Sequence, residues 1–339
     1  MSSLNPSLQN QLAPLTIRSA QGDYRVEFWE DLPSALALLT NLNGIFLVID
    51  RKVEALYRSQ LSGLTSKWPT FLLDADERVK TLDGVAQLST WLQEKGANKR
   101  SRLVAIGGGI IQDICAFTSH IYYRGIPWTF FPTTLLSMCD SCIGAKSSIN
   151  HGKAKNQLGA FHSPREVHVV PQLLSTLETR DIKSGYGEIL KLMLTQNLRD
   201  FESLETVLKT HEGNLLNPEL PAIIRRSLEI KKAVIEVDEF EADLRRILNF
   251  GHTFGHAIES MSDYEVPHGL AVAWGIDLVN HISVKKGLLS GQLAARIRRL
   301  IQSHLSVQLR YLPTVESLIE GIRKDKKAET SLVKAMSRV

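Results

Sequence analysis

The sequence predicts an α/β protein, with a doubly wound N-terminal domain followed by an all-α domain. Short apolar runs alternate with helical patterns through the first half of the 339-residue chain. One run leads directly into Gly107-Gly108-Gly109 and a further helical pattern, and from about residue 173 the pattern is helical to the end. Alternating strands and helices predict a parallel sheet covered by helices, and the remainder predicts a separate helical layer. We place the boundary so that residues 1–170 form the first domain and residues 171–339 the second.

The first domain begins with alternating polar and apolar residues over 15–29, which is typical of half-buried strands. Continuous apolar runs follow, of the kind that form parallel strands buried on both faces. These runs lie at residues 45–50, 70–74, 102–106, 128–131 and 166–170. Helical patterns separate them at about residues 33–41, 51–63 and 78–95, and from the three glycines to about residue 123.

The strand at 102–106 ends in a pattern that favours phosphate binding. Three glycines and a helix follow it directly, so backbone amides and a helix N-terminus can approach a phosphate group. A plain tight turn needs one glycine here, although the pattern is not the G-x-G-x-x-G of dinucleotide-binding domains. Asp50 ends the strand at 45–50, where an acid often binds ribose hydroxyls, but many buried strands also end in Asp.

Small and polar residues crowd into a short span before the last strand, with little periodicity. The span contains Asp140, Gly144, Lys146, Asn150, His151, Lys155 and Asn156. We predict that it is a loop with a short helix that builds part of a site. Cys139 and Cys142 form a C-x-x-C there, but no second such pair completes a four-sulfur zinc site, so packing as small apolar residues is favoured.

One segment of the second domain, residues 245–269, carries the most chemistry. His252 and His256 are four residues apart, so they share one face of a helix. His268 follows Pro267, where the chain can fold back on that helix. Three imidazoles so placed can hold a divalent metal, with a carboxylate from elsewhere completing the set. The alternative is two locally satisfied helix histidines and a third in a loop.

A second helical segment offers that carboxylate. Glu188 and Lys191 are three residues apart and share a helix face. Glu188 is the candidate fourth partner of the metal, and an ordinary surface ion pair with Lys191 is the alternative. Lys231-Lys232 and Asp238-Glu239 alone resemble an exposed charged helix.

Composition excludes several classes of protein. The net charge of +4 is small and spread out, so nucleic-acid binding is not expected, although a mild basic excess suits an anionic small molecule. No run of about 18 apolar residues predicts a membrane span. Three cysteines argue against a disulfide framework. Residues 1–14 are polar and lack a signal-peptide core, so we expect a cytoplasmic location.

Several blocks, in order from about Asp50 to Lys327, resemble 3-dehydroquinate synthase and, more broadly, the sugar phosphate cyclases. The blocks are Gly107-Gly108-Gly109-x-x-x-Asp113, Arg124-Gly125, Pro132-Thr133-Thr134-Leu135-Leu136, Asp140-Ser141-x-x-Gly144-x-Lys146, Lys155-Asn156-x-x-Gly159-Ala160-Phe161, Gly187-Glu188-x-x-Lys191 and Asn249-x-Gly251-His252-Thr253-x-Gly255-His256-Ala257-x-Glu259. Their number and consistent spacing make the resemblance more specific than any single motif.

The resemblance implies a Rossmann-like NAD-binding domain followed by an α-helical domain that binds metal and substrate. The implied ligands of the metal, normally zinc with cobalt possible, are Glu188, His252 and His268. The implied NAD-binding residues are Asp50, Glu77, Lys80, Gly108, Gly109, Asp113, Thr133, Thr134, Lys146, Lys155 and Thr176. The implied substrate and catalytic residues are Asp140, Lys146, Lys155, Asn156, Lys191, Lys231, Arg245, Asn249 and His256. Lys327, or Lys326, matches a phosphate-binding lysine, and Arg124 matches an arginine that reaches the neighbouring subunit's phosphate site, which implies a homodimer.

The implied reaction converts 3-deoxy-arabino-heptulosonate 7-phosphate to 3-dehydroquinate and phosphate. It proceeds by transient oxidation with NAD, phosphate elimination, reduction and intramolecular aldol closure. Lys146, Lys155, Lys231 and Arg245 supply the cations that a phosphate and a carboxylate need. His256 is placed as a proton shuttle or phosphate partner.

The chain departs from the family pattern in several places, among them the unusual Cys139 and Cys142, which leaves the substrate open. Gly144-Ala145-Lys146-Ser147 replaces G-G-K-T, and His268-Gly269-Leu270 replaces H-G-E. Another cyclase, acting on sedoheptulose 7-phosphate or glucose 6-phosphate, is therefore an alternative, although Arg245, Asn249 and His256 favour the dehydroquinate reaction. A metal-dependent NAD polyol or glycerol phosphate dehydrogenase and a non-catalytic relative are less favoured.

Overall fold

The structure, a computed structural model, describes residues 12–152, 154–262, 265–307 and 314–324. The chain divides into two compact units, Met1–Thr176 and Leu177–Val339. The short 3-10 helix Pro171–Thr176 follows the last strand and belongs to the first unit. Tyr57 of that unit donates its hydroxyl to the Leu173 carbonyl at 3.3 Å, which ties this helix back to the first unit.

The described part of the first unit contains nine strands. They are β1 Leu15–Ile17, β2 Tyr24–Phe28, β3 Ile45–Asp50, β4 Thr70–Leu73, β5 Arg102–Gly107, β6 Trp128–Pro132, β7 Lys146–His151, β8 Ala154–Phe161 and β9 Glu166–Val169. Seven form one sheet in the order β1-β2-β9-β6-β5-β3-β4, parallel except for the β1–β2 pair. The central strands β3 and β5 are almost wholly buried, as their apolar runs predicted.

The sheet contains a point where the strand order reverses. β3 and β5 are neighbours, and their next neighbours, β4 and β6, lie on opposite sides. In doubly wound sheets, ligands bind at such a point, beyond the carboxyl ends of the strands. Asp50 ends β3 and Gly107 ends β5, so both sequence features that favoured nucleotide binding lie at this edge.

Four helices connect these strands: α1 Leu32–Ala37, α2 Arg51–Thr65, α3 Leu82–Glu94 and α4 Gly109–Ile121. The sequence predicted that α3 begins near residue 78, but Lys80 lies outside the helix with φ −77° and ψ 62°. Thr81 is the N-cap instead and accepts the Gly84 amide at 3.3 Å. The break directs the Lys80 side chain into the first unit, where it is buried.

The span predicted as loop and short helix is mainly an antiparallel hairpin of β7 and β8, so that prediction was wrong. Its helical part is a single π-helical turn, Ser137–Ser141. The sequence did not predict these strands because their side chains are polar and half exposed, so they show no clear period-two pattern of apolar residues. The Ser148 amide donates to the Asp113 carboxylate of α4 at 2.9 Å, a long-range contact that fixes the hairpin.

The second unit is helical in its described part, as predicted. Its helices are α5 Thr179–Gln196, α6 Leu198–Thr210, α7 Leu220–Ile235, α8 His252–Met261, α9 His268–Lys285, α10 Gly291–His304 and α11 Val315–Lys324. The helical pattern in the sequence did not predict the irregular segment between α7 and the 3-10 helix Leu244–Asn249. No helix that the structure describes is long and apolar enough to span a membrane.

Glycine contacts bring three of these helices unusually close. A Cβ at Gly187 of α5 would overlap the Gly269 carbonyl group of α9, and a Cβ at Gly269 would overlap the Ser184 carbonyl oxygen. The Gly269 amide of α9 also donates a hydrogen bond to the Ser184 hydroxyl of α5 at 3.0 Å. On the other side of α9, a Cβ at Gly275 would overlap the Gly251 carbonyl oxygen at the start of α8. The three helices can pack this way only because these positions lack side chains.

We predict that Gly187→Ala destabilises the second unit by about 3 kcal/mol or more, because the new methyl group meets backbone that cannot rotate away. The measurement is the urea-unfolding midpoint followed by circular dichroism. Gly291→Ala at the start of α10 is the matched control, since its Cβ meets nothing within 4 Å. Equal effects of the two substitutions would contradict the packing argument.

Candidate functional site

Three histidine side chains of the second unit lie together. One ring nitrogen from each of His252, His256 and His268 lies within 4.8 Å of the other two. The ring of His252 is 5.3 Å from each of the other two rings, centre to centre. His252 and His256 share a face of α8, and His268 begins α9, as the sequence predicted. The prediction that the chain folds back after α8 is therefore confirmed.

A buried carboxylate lies against this cluster. Glu188 of α5 is 2% exposed, and its Oε1 is 3.3 Å from His268 Nε2 and 3.9 Å from His252 Nε2. Glu188 also forms an ion pair with Lys191, which is 3% exposed. The alternative of a surface ion pair is excluded by this burial. A carboxylate and two or three imidazoles are the donor set that zinc prefers, so the residues present fit a divalent metal.

The glycine contacts explain why these side chains meet. Glu188 directly follows Gly187 on α5, and His268 directly precedes Gly269 on α9, so the closest approach of the two helices lies beside both donor groups. His252 follows Gly251, which packs against α9. The three donors thus come from three helices. At each contact between these helices, a side chain in place of the glycine would push the helices apart.

A second carboxylate contacts His268 from the other side of its ring. Glu259 Oε2 lies 3.0 Å from His268 Nδ1. Burial lowers the pKa of His268, but its hydrogen bonds to Glu188 and Glu259 and their charges outweigh burial and raise that pKa to about 10. His252 has a weaker partner at the equivalent atom, because its Nδ1 lies 3.4 Å from the Phe250 carbonyl oxygen.

The irregular segment before α8 holds two of the candidate substrate residues, Arg245 and Asn249. Arg245 is 4% exposed, and its guanidinium donates to the Glu239 carbonyl oxygen. Asn249 donates its side-chain amide to Glu241 at 2.7 Å. The segment is organised by Asp238, whose carboxylate accepts three backbone amides, from Ala242, Asp243 and Arg245 at 2.8, 2.8 and 2.9 Å. Asp238 therefore lies in a loop that its own hydrogen bonds organise, rather than on an exposed helix.

The first unit offers a glycine turn at the end of β5. Gly108 caps α4, and a Cβ on it would lie 2.9 Å from the Thr134 methyl group. A Cβ at Gly109 would meet nothing within 4 Å, so the space beside Gly109, at the N-terminus of α4, is open. Thr133 donates its amide to the Gly107 carbonyl at 2.9 Å, which joins the ends of β5 and β6. Open space at a helix N-terminus fits a phosphate group.

A buried ion pair lies near this turn. Lys80 Nζ is 3.0 Å from Asp113 Oδ2 on α4 and 2.7 Å from the Asn156 side-chain oxygen on β8. Burial lowers the pKa of Lys80, but the negative charges of Asp113 and Glu77 outweigh it and raise that pKa above its ordinary value. Three positions that the resemblance assigns to NAD, Glu77, Lys80 and Asp113, thus form one group.

The hairpin completes this group. Asn150 of β7 donates to the Glu77 carboxylate at 2.8 Å and accepts the Asn156 amide at 3.0 Å. Lys155 Nζ is 4.0 Å from Glu77. Asn156 has a left-handed backbone, with φ 52°. The structure therefore brings the expected substrate residues Lys155 and Asn156 against the expected NAD residues.

The remaining expected residues of the first unit are more scattered. Asp50 caps α2 by accepting the Lys52 amide at 2.9 Å, and Thr176 bonds Tyr57 at 2.9 Å. Asp140 is buried in the π-helical turn, and Lys146 is exposed at the start of β7. Arg124, with φ 63°, lines a cavity of about 320 Å³ together with His120 and His162. Lys326 and Lys327 lie outside the described residues.

Cys139 and Cys142 are buried thiols outside any disulfide, as the packing interpretation favoured. Their sulfur atoms lie 3.7 and 3.6 Å from the Leu136 and Met138 carbonyl oxygens one turn back. The pair is therefore part of the interior of the first unit.

Sequence reasoning missed several residues that hold the expected ones in place. They are Ser148, Asp238, Glu241 and Glu259. Glu259 had a signal, because it lies seven residues after His252 and three after His256, on the same helix face. The others act through contacts that sequence spacing does not reveal.

Comparison with known proteins adds an independent finding. The family model described as 3-dehydroquinate synthase N-terminal matches residues 70–184, and the one described as 3-dehydroquinate synthase C-terminal matches residues 185–328. The curated 3-dehydroquinate synthase of Rippkaea orientalis is 38% identical over 268 residues, which are 78% of this chain and 73% of that protein. That of Dictyoglomus turgidum is 35% identical over 307 residues, 89% of this chain and 81% of that protein.

A solved structure extends the likeness to the fold of the whole chain. It is that of ValA, the 2-epi-5-epi-valiolone synthase from Streptomyces hygroscopicus subsp. jinggangensis with NAD+ and Zn2+ bound. It shares 28% sequence identity with this chain and covers 91% of it and 88% of the ValA chain, with a TM-score of 0.80.

We predict that Lys80→Met destabilises the first unit by about 3–5 kcal/mol, because it leaves the Asp113 carboxylate buried without its ammonium partner. The measurement is the urea-unfolding midpoint of the first unit by tryptophan fluorescence. Adding Asp113→Asn should restore part of the loss. Arg78→Met, which breaks the exposed pair with Asp76, is the control and should cost no more than about 1 kcal/mol. A Lys80→Met effect as small as the control's would refute the argument.

Proposed function

Because the chain belongs to the 3-dehydroquinate synthase family, we propose that it converts 3-deoxy-arabino-heptulosonate 7-phosphate to 3-dehydroquinate and phosphate. We propose NAD and one divalent metal as cofactors, zinc first and cobalt second. The observation that carries the proposal is the buried Glu188 carboxylate between His268 and His252. One carboxylate and two imidazoles that meet in this way supply the oxygen and nitrogen donors that a divalent metal takes, so the arrangement favours a metal site.

Glu188, His252 and His268 would hold the metal, and His256 lies within reach of the same space. Bound there, the metal supplies a Lewis acid for a substrate hydroxyl oxygen, and NAD supplies a hydride acceptor that is restored within each turnover. Lys191 neutralises Glu188 through their ion pair and offers further N–H donors to the substrate. His256 is the candidate proton carrier beside this site.

The first unit would hold NAD at the reversal point of its sheet. The open space beside Gly109 suits the pyrophosphate, because the α4 N-terminus presents amides and a partial positive charge there. Asp50 ends the neighbouring strand, where an acid can bind ribose hydroxyls. Thr133 and Thr134 border the same glycine turn. Glu77, Lys80 and Asp113 form the buried group beside the hairpin and are proposed to contact the cofactor.

Three buried cations of the second unit favour an anionic substrate. Lys191, Lys231 and Arg245 are 3%, 6% and 4% exposed. These ammonium and guanidinium groups can donate charged hydrogen bonds to an anionic substrate, and the planar fork of Arg245 suits a carboxylate. Asn249 is proposed to bind the same substrate. In the first unit, Asp140, Lys146, Lys155 and Asn156 are the proposed substrate groups.

We propose that the protein is a homodimer in which Arg124 reaches the partner's active site. Arg124 ends a short helical turn with φ 63°, and the nearby Ile121 and Tyr123 are about half exposed, at 47% and 51%. Such a mixture of apolar side chains and an arginine is typical of an interface. We further propose a cytoplasmic location, which three buried cysteine thiols outside any disulfide support.

The direct test is phosphate release by the purified protein with NAD, zinc and 3-deoxy-arabino-heptulosonate 7-phosphate. We expect release that a chelator abolishes, with no net accumulation of NADH. Glu188→Gln should lower the rate about 100-fold or more, since loss of a ligand exceeds the 10–100-fold typical of its supporting groups. Glu202→Gln, on the surface of α6, is the matched control.

Other outcomes of this assay point elsewhere. Release from sedoheptulose 7-phosphate or glucose 6-phosphate alone would reject the proposed substrate but keep the cyclase chemistry. Stoichiometric NADH with a polyol or glycerol phosphate would identify a dehydrogenase. Activity that survives both the chelator and Glu188→Gln would overturn the assigned metal site.

We predict that Arg245→Met lowers kcat/KM by about 30-fold or more, because it leaves the substrate carboxylate without its buried cation, a loss of about 2–5 kcal/mol. The measurement is the initial rate of phosphate release over a range of substrate concentrations. Arg246→Met, at the exposed neighbouring position, should leave kcat/KM nearly unchanged. A similar loss in both variants would show that Arg245 has no specific contact with the substrate.

A further inference from the structure

We propose that Glu259 is a positioning residue that holds the His268 ring in the orientation required of a metal ligand. The proposal rests on the metal site of the proposed function but concerns a residue that does not itself bind the metal. Glu259 Oε2 lies 3.0 Å from His268 Nδ1, and the Glu259 side chain is 17% exposed, so water competes little for this contact.

The two nitrogens of His268 face two different carboxylates. Nδ1 faces Glu259, and Nε2 lies 3.3 Å from Glu188. A neutral imidazole carries one N–H, and a carboxylate can only accept a hydrogen bond. With a metal in the site, Glu259 would therefore accept the hydrogen bond from Nδ1 of His268, which leaves the Nε2 lone pair on the side of Glu188. That lone pair is the one a metal beside Glu188 needs.

The geometry of α8 places the Glu259 carboxylate beside the His268 ring. His252, His256 and Glu259 follow one another along a single face of α8, which therefore carries both a ligand and the carboxylate that orients another ligand. The close contact of Gly251 and Gly275 holds α8 against α9, so the distance from Glu259 to His268 is set by backbone packing.

Comparison of the two proposed ligand histidines shows why Glu259 matters. Nδ1 of each faces an oxygen atom, and Nε2 of each faces Glu188. The partner of His252 is a backbone carbonyl at 3.4 Å, a long and uncharged contact. The partner of His268 is a carboxylate at 3.0 Å, so its contact is the stronger one and also raises the basicity of the imidazole.

The test is the zinc affinity of the full-length protein without substrate, measured by competition with a chromophoric chelator. We expect Glu259→Ala to weaken zinc binding about 10–100-fold, and Glu259→Gln, which keeps an accepting oxygen but loses the charge, to weaken it less. Glu202→Gln should have no effect, because Glu202 pairs with Arg296 on the surface. A zinc dissociation constant unchanged in both Glu259 variants would overturn the proposal.

A second readout separates positioning from a purely structural role. The melting temperature of the metal-free protein measures the structural share of the contact, and Glu259→Gln should lower it modestly through the lost charge beside His268 while also weakening zinc binding. A lower melting temperature with an unchanged zinc dissociation constant would show that Glu259 only supports the helix packing, and would reject the proposal. If Glu259→Ala does not fold, Glu259→Gln carries the test.

The zinc-affinity experiment can reject the positioning role without rejecting the proposed reaction, and the reverse also holds. Zinc binding that depends on Glu259, in a protein that releases no phosphate from any sugar phosphate offered, would support the positioning role and reject the reaction. Phosphate release that saturates at the same zinc concentration in the parent and in both variants would keep the reaction and reject the positioning role.

Discussion

Helices α5 and α9 approach so closely that no methyl group fits between Gly187 and Gly269. The proposed chemistry of the second unit depends on this contact. Glu188 directly follows Gly187 on α5, and His268 directly precedes Gly269 on α9. A similar contact between Gly251 and Gly275 holds α8 beside α9 and brings His252 to the same place. Backbone packing, rather than flexible side chains, thus sets the distances among the donor groups, and this suits a site that must present a fixed geometry.

Each unit also buries charge, and in each the buried charges lie where function is proposed. In the first unit Lys80 and Asp113 form a pair that joins α4 to the β7–β8 hairpin through Asn156. In the second, Glu188 and Lys191 pair beneath the histidines. Such pairs contribute little net stability compared with apolar packing. Their presence is therefore better explained by binding and catalysis than by the stability of the fold.

Much of the fold followed from sequence because apolar periodicity reports burial directly. The parallel strands and the helices that carry His252 and Glu188 were predicted for this reason. The β7–β8 hairpin was missed because its strands are polar and are fixed by distant contacts, such as that of Ser148 with Asp113. The segment around Asp238 was missed for the same reason, since its backbone amides are satisfied by one side chain rather than by a regular helix. Local pattern cannot reveal contacts of this kind.

The central claim is that three helices place one carboxylate and two imidazoles around a single metal ion. Anomalous scattering at the zinc absorption edge, from crystals grown with zinc and NAD, tests it most directly. The account predicts a peak about 2.0–2.2 Å from a Glu188 carboxylate oxygen and from Nε2 of His252 and His268. A zinc peak elsewhere in the chain, or the absence of a peak beside Glu188, would contradict it.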